Sequence, residues 1–223
     1  MTLRSLSYTF PAGNVTDVCA SQTLAGAGAM TLNGNLVNKV NGVMSFAVHG
    51  YSRGVSVFST NDLSGVTFTI IGIQNGVSIT ENITGPNNST TYGTLAYDTI
   101  TSITANGAAA AVSIGSGWQG FFMVAPNLWT DVVNYTLTLR GGAAATAPQF
   151  GVFGGLNNIV NNGSTYFTNI AADNIVPIRA LAAYTAAYVY SNTGNPTYAA
   201  LIIQVGQSSA TVANSITLNF MQV

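Results

Sequence analysis

One imidazole, one thiol and six carboxylates make up this chain's whole set of His, Cys, Asp and Glu side chains, the groups that most often carry acid–base and metal chemistry. His49 is the sole histidine, so a His-rich metal site is ruled out and at most one imidazole general base remains. A nucleophilic triad needs a Ser or Cys, a base and an orienting carboxylate brought together. No Gly-x-Ser-x-Gly elbow marks such a site. His49, beside Gly50 at the end of a strand expected over 42–49, reads as a structural polar residue. The acids Asp17, Asp62, Glu81, Asp98, Asp131 and Asp173 are too dispersed to form a calcium loop. Glu81 and Asp98, on neighbouring candidate strands, are the pair that could mimic the two carboxylates of a glycosidase. Isolated acids without motif spacing read instead as solvated or turn-capping groups. The expectation is a protein that is not an enzyme, with no catalytic residues, no cofactor-binding residues, no metal ligands and no cofactor.

Other motif-like stretches also fall short. Ala25–Ala29 reads Ala-Gly-Ala-Gly-Ala, yet it lacks the Gly-Lys-Ser/Thr ending and the following helix of a phosphate loop. Six Asn-x-Ser/Thr triplets are expected by chance in a chain so rich in these residues, and Sec-type export is not expected. The basic residues Arg4, Lys39, Arg53, Arg140 and Arg179 are scattered, so no stripe exists to neutralise a run of phosphates. Direct nucleic-acid binding is not expected. Trp118, Phe121, Phe122 and Trp129 form the densest aromatic cluster. Such clusters serve as core or subunit contacts, or as stacking platforms for sugars.

The elements that would position these groups are strands. Apolar and hydroxyl residues alternate with period two at Val66, Phe68 and Ile70 against Thr67 and Thr69, and at Val77 and Ile79 against Ser78 and Thr80. The same pattern returns at Met44–Val48, Asn134–Leu139 and Ser215–Phe220. Asn33-Gly34, Asn41-Gly42, Asn75-Gly76, Asn106-Gly107 and Asn162-Gly163 mark turns, because Asn-Gly tolerates positive φ. Pro86-Asn87-Asn88 and Gly194-Asn195-Pro196 read as longer loops. Strands are expected near 28–33, 42–49, 53–59, 65–73, 77–84, 91–105, 110–115, 132–140, 147–153, 175–183, 199–206 and 214–223. The hairpin across 74–76 is the clearest. Helix competes at Ala108–Ala111 and Ala180–Ala187, but neither run has caps or charged i,i+4 pairs, which favours strand or loop.

The fold class is therefore all-β, a β-sandwich or jelly-roll-like architecture. A composition shift near Gly115–Trp118 suggests two packed β modules, 1–116 and 117–223. The segment Thr2–Asn14 precedes the first expected strand and could extend as an arm onto a neighbour or remain a tail. No apolar window approaches the ~18 residues of a membrane span. Cys19 is alone, so no intrachain disulfide is available, which is compatible with folding in a reducing cytosol. Only five Lys or Arg and six Asp or Glu occur in 223 residues, against about a quarter charged in ordinary domains. Charged residues clothe monomer surfaces and are depleted at the centres of interfaces. This scarcity points to a building block of an assembly.

Three segments carry a resemblance. Ser64–Tyr92 holds a hairpin ending in Glu81-Asn-Ile-Thr-Gly-Pro-Asn87, followed by Tyr97–Gly107 with its Thr101-Ser-Ile103, then Val112-Ser-Ile-Gly-Ser-Gly-Trp118. Together they resemble small β-rich virion proteins of tailed bacteriophages. The resemblance implies a capsid decoration or cement protein that binds and stabilises a shell of major capsid protein, with a tail or neck component as the alternative. It further implies a homo-oligomer, a trimer by analogy, located in the virion and assembled in the host cytoplasm; with no apolar span, no membrane partner is expected either. A carbohydrate-binding or adhesive module is the competing class. No functional residues carry over.

Overall fold

The computed structural model describes residues 2–38, 40–74, 76–124, 132–140, 149–155, 175–183, 188–193, 200–206 and 214–222. The protein is all-β: among these residues there is no α-helix, and the strands pair predominantly antiparallel. The chain divides into two compact units. One comprises Met1–Ala12, Phe121–Asn161 and Thr165–Val223; the other comprises Gly13–Gly120 with Asn162–Ser164.

The first strand, β1 (Thr2–Phe10), belongs to the discontinuous unit. The second unit contains β2 (Cys19–Leu24), β3 (Gly28–Ala29), β4 (Met44–Ser45), β5 (Ser52–Asp62), β6 (Thr67–Gln74), β7 (Val77–Thr84), β8 (Asn87–Tyr92), β9 (Thr99–Ala105) and most of β10 (Ala109–Val124). In this unit β5 lies between β8 and β10, and β2 adds to β10; the other sheet runs β3-β9-β6-β7, with β4 also on β9. The period-two pattern sends alternate side chains inward. Phe68 and Ile70 of β6, Ile79 and Ile83 of β7, Ile100 and Ile103 of β9, Val55 and Val57 of β5, and Val112 and Ile114 of β10 are all buried.

The hairpin between β6 and β7 is formed as expected, from Thr67↔Thr84 to Gln74↔Val77, with Gly76 at φ 78°. The strand expected over 91–105 is instead two. β8 pairs with β5 and β9 pairs with β6, so the chain changes sheets across Gly93–Asp98. Tyr97 is tied to Arg53 by reciprocal backbone hydrogen bonds of 2.8 and 3.0 Å at that crossing. The expected 28–33 strand shrinks to Gly28–Ala29. The 42–49 strand shrinks to Met44–Ser45 because the Phe46 and Ala47 amides both donate to the Asp98 carbonyl, which bends the chain into a 3₁₀ turn. His49 therefore sits in the turn Ala47–His49, closed by Gly50 at φ 82°, and not at a strand end.

Asn33-Gly34 is not a positive-φ turn. A Cβ on Gly34 would stand 2.4 Å from the Asp17 carbonyl carbon, so glycine is required there for close backbone approach. Asn87 and Asn88, expected in a loop, begin β8, with Asn88 at φ 44°. Ala109 opens β10 as a strand, while 184–187 lie outside the described residues.

In the discontinuous unit, β11 (Val132–Arg140), β12 (Gln149–Gly155), β13 (Ile175–Ala183), β14 (Tyr188–Thr193), β15 (Ala200–Gly206) and β16 (Asn214–Gln222) complete the strand set. One ladder runs β1-β16-β11-β14, and β12 lies between β13 and β15. The segment considered as an arm or tail is thus a sheet strand: Thr2↔Gln222 through Phe10↔Asn214 are paired. Leu6, Tyr8 and Phe10 alternate with Ser5, Ser7 and Thr9, which is a strand pattern in its own right. The boundary expected at 116/117 falls inside β10, and residues 1–12 group with the other unit.

Candidate functional site

The second unit, Gly13–Gly120, has few charges and turns most of them inward. Asp17, Arg53, Asp62, Glu81 and Asp98 are its described charged side chains. Arg53, in β5, is fully buried; its Nε donates to the Gly117 carbonyl at 2.8 Å. Burial pulls the guanidinium below its ordinary pKa, while neighbouring Tyr51 and Asp17 favour its charged form. Asp17, also buried, accepts from the Ser116 hydroxyl at 2.5 Å, and that hydroxyl accepts from the Asn14 amide at 3.1 Å. These bonds hold the segment before β2 against β10.

Glu81 points inward from β7 and gathers the crossing between β8 and β9. Its Oε1 accepts from the Thr94 amide at 2.5 Å, the Thr94 hydroxyl at 2.8 Å and the Leu95 amide at 3.3 Å. Its Oε2 accepts from the buried Tyr97 hydroxyl at 3.3 Å. Burial first, then the adjacent Glu81 charge, pushes the Tyr97 phenol well above its usual range. Asp98 accepts a short hydrogen bond from the Ser52 hydroxyl. The two carboxylates weighed as a glycosidase pair are thus each engaged in holding the same crossing segment. Asp62 is exposed and caps a turn through the Ser64 amide at 3.0 Å and hydroxyl at 2.7 Å, bonds that lower its pKa. His49 is exposed, its ring stacked on Tyr51 at 5.9 Å. Cys19 is buried, and burial pushes its thiol up to about 12. Among the described residues, no three His, Cys, Asp or Glu gather as a metal cage.

With Arg53, Asp17 and Glu81 turned inward, the outer face of the β9-β6-β7 sheet carries no charge among the described residues. Pairing across strands places side chains in rows. Ser45, Thr99, Ile73 and Ser78 form one row; Ser102, Ile71 and Thr80 form the next; Ala29, Thr104, Thr69 and Asn82 the third; Thr67 and Thr84 the last. Ile71 and Ile73 are each 36% exposed. The hydroxyls interlock laterally: Thr69 donates to Asn82 Oδ1 at 2.8 Å, Thr99 to Ser45 Oγ at 3.3 Å, and Thr101, at a bulge in β9, to the Ile71 carbonyl at 3.0 Å. Beyond this face, Val43 (45% exposed), Val48 (76%) and Val40 (96%) stand out on the segment around β4. The Val40 turn is braced by Asn38, whose carbonyl accepts from Gly42 and whose Oδ1 accepts from Val40.

The sequence singled out neither the buried Arg53–Asp17 neighbourhood nor the outer face. The face was visible in hindsight as the polar half of each alternation, Thr67, Thr69, Thr80, Asn82, Thr84 and Thr104. The side chains of Trp118, Phe121 and Phe122, with Trp129, Asp131, Asp173 and the Asn162-Gly163 turn, lie outside the described residues.

No family model matches the chain, and no curated protein matches it. Among solved structures it has a likeness to the N-terminal CBM22-1-CBM22-2 tandem domain of Paenibacillus barcinonensis Xyn10C, at 10% identity, TM-score 0.24 and 97% coverage of both chains. Others are infectious bursal disease virus, Gt strain (10% identity, TM-score 0.19, 98% of this chain and 72% of that one), and the T13 particle of the same virus (11%, 0.20, 98% and 69%). At such TM-scores these likenesses carry no argument about fold or function.

Proposed function

We propose that this chain is a non-enzymatic structural subunit of a virus particle, a decoration or cement protein of the tailed-bacteriophage kind that seats on a shell of major capsid protein. The observation that carries the proposal is the disposition of charge. Of the five described charged side chains in Gly13–Gly120, Asp62 alone is exposed; Arg53 and Asp17 are buried, and Glu81 and Asp98 are half-buried and hydrogen-bonded. A free monomer gains solubility from surface charge. A surface of Thr, Ser, Asn and Val instead suits burial against other protein, where each unmatched charge would carry a desolvation cost. A cement protein acts by mass action: it binds the assembled shell and stabilises it without chemistry. The resemblance of Ser64–Trp118 to phage virion proteins supports the same assignment, with the virion as its location, the host cytoplasm as its place of assembly and a homo-oligomer as its form. Among the described residues no helix is long and apolar enough to cross a membrane.

The test is to probe purified particles from the source for this chain and to measure its copy number per particle. Stoichiometric retention through 0.1 to about 1 M salt is expected, because few ion pairs are available to be screened. Absence from particles, together with specific binding on a sugar array, would overturn the proposal in favour of a carbohydrate-binding module.

A further inference from the structure

We infer that the uncharged outer face of the β9-β6-β7 sheet is the surface through which one copy of the chain packs on a second, sheet against sheet about a two-fold axis. The inference rests on the assembly proposal and adds to it a surface and an occupant. Self-pairing requires a face to complement itself, and charge is the usual obstacle, since a two-fold axis sets like groups near like groups. Here the rows hold Thr, Ser, Ile, Asn and Ala alone. A hydroxyl is at once a donor and an acceptor, so a hydroxyl row can pair with its own copy, which a row of Lys or of Glu cannot. Ile71 and Ile73 supply adjacent apolar positions in successive rows, and their partial exposure leaves aliphatic surface to be covered.

The partner's chemistry follows from the same fact. A face without charge offers nothing to attract a charged surface and would strand that surface's charges on contact. Its partner must be comparably neutral, and a second copy of a chain with 11 charged residues (five basic and six acidic) meets that condition. Size is consistent with this. Eight residues of β6 at ~3.3 Å and the three full strands β9, β6 and β7 at ~4.8 Å span roughly 26 by 14 Å, and the two-residue β3 and β4 beside β9 bring the face to about 440 Å² in projection. Two such faces bury on the order of 900 Å², just under the size of a stable specific interface, which corresponds to weak, reversible association. The sheets would stack about 10 Å apart with their strands within roughly 30° of alignment. An isologous contact of this kind produces even-numbered oligomers rather than the trimer that the resemblance implies.

The experiment is sedimentation equilibrium on the full chain over a concentration series, with Thr80→Lys and Ile73→Lys on the face and Val48→Lys off it. Far-UV circular dichroism and urea midpoints confirm that each variant folds. The wild type and Val48→Lys are expected to reach twice the chain mass. Each face variant is expected to weaken association by roughly a hundredfold or more, because each copy would bury an unpaired lysine against an uncharged face. Thr80 is exposed and its change leaves the core untouched, so it decides the matter even if Ile73→Lys fails to fold. Association unchanged in a folded Thr80→Lys protein would overturn the inference. A wild-type monomer that still binds particles would also overturn it, while leaving the assembly proposal standing. A dimer lost in Thr80→Lys but absent from particles would uphold the surface and overturn the virion assignment.

Discussion

Replacing Glu81 by alanine should detach the crossing between β8 and β9, and its cost can be worked from the four hydrogen bonds the carboxylate accepts. Thr94 is exposed, so water can replace the carboxylate at its amide and hydroxyl, at about 0.5–1 kcal/mol for each bond lost. The Leu95 amide and the Tyr97 hydroxyl belong to residues only 8% and 0% exposed. Left without an acceptor, each costs about 1–3 kcal/mol, and their 3.3 Å lengths favour the lower half of that range. The expected loss is about 4 kcal/mol, a large share of a domain's typical stability. In urea, with a slope of about 2 kcal/mol/M, the midpoint should fall by roughly 2 M. Glu81→Gln keeps a carbonyl acceptor and should cost about 1 kcal/mol. Native-state hydrogen exchange should show the Thr94 and Leu95 amides losing protection in the alanine variant. A Glu81→Ala midpoint within about 0.5 M of wild type would refute the view that this carboxylate organises the crossing.

Gly72→Ala should be more disruptive than its size suggests: the new Cβ would stand 2.4 Å from the Thr99 carbonyl oxygen and 2.5 Å from Tyr97 Cδ1, and about 3 kcal/mol or more should be lost in the same urea assay. Arg53→Ala should lower stability by about 3–5 kcal/mol, since it leaves buried Asp17 without its neighbouring cation, whereas the double variant Arg53→Met with Asp17→Asn should recover part of the loss. Cys19 should resist alkylation at pH 8 in the native protein and react on addition of denaturant, because burial holds the thiol protonated. The same shift has a sign in stability. The folded pKa of about 12 lies above the ordinary 9.0, so this contribution is complete below pH 9 and is lost as pH rises towards 12. Cys19→Ala should flatten that alkaline decline in a series of urea midpoints.

Much of the strand pattern was legible in the chain, because a half-buried strand writes its two faces in alternate residues. Thr67–Gln74 and Val77–Thr84 lie within or close to their expected bounds, with Gly76 at positive φ between them. The departures occur where a side chain or a distant carbonyl overrides the local pattern. Thr91–Ala105 reads as one strand from its Thr and Ile ends, yet its middle is captured by Glu81 and by Arg53, groups 13 and 44 positions away in sequence. Met44–Val48 alternates correctly, but the Asp98 carbonyl takes two successive amides and curls the chain after Ser45. β2 carries Gln22 and Ser21 in place of a clear apolar alternation, and it owes its strand state to pairing with β10. Such long-range captures leave no periodic mark.

In Gly13–Gly120 the scarcity of charge in the composition understates the neutrality of the described surface. Low charge alone could describe a protein whose few acids and bases are spread thinly over its exterior, keeping it apart from its neighbours. In Gly13–Gly120 the described charges are allotted differently. Arg53 and Asp17 lie inside, Glu81 and Asp98 hold a crossing of the chain, and Asp62 caps an exposed turn. Each of the first four has a structural task that a neutral residue would perform less well, since charge-assisted hydrogen bonds are about twice as strong as neutral ones. The charges are therefore retained where backbone must be held and absent where surface could be shared. Adding lysines to the outer sheet face should accordingly leave the fold intact and change association, whereas neutralising Glu81 or Arg53 should damage the fold first.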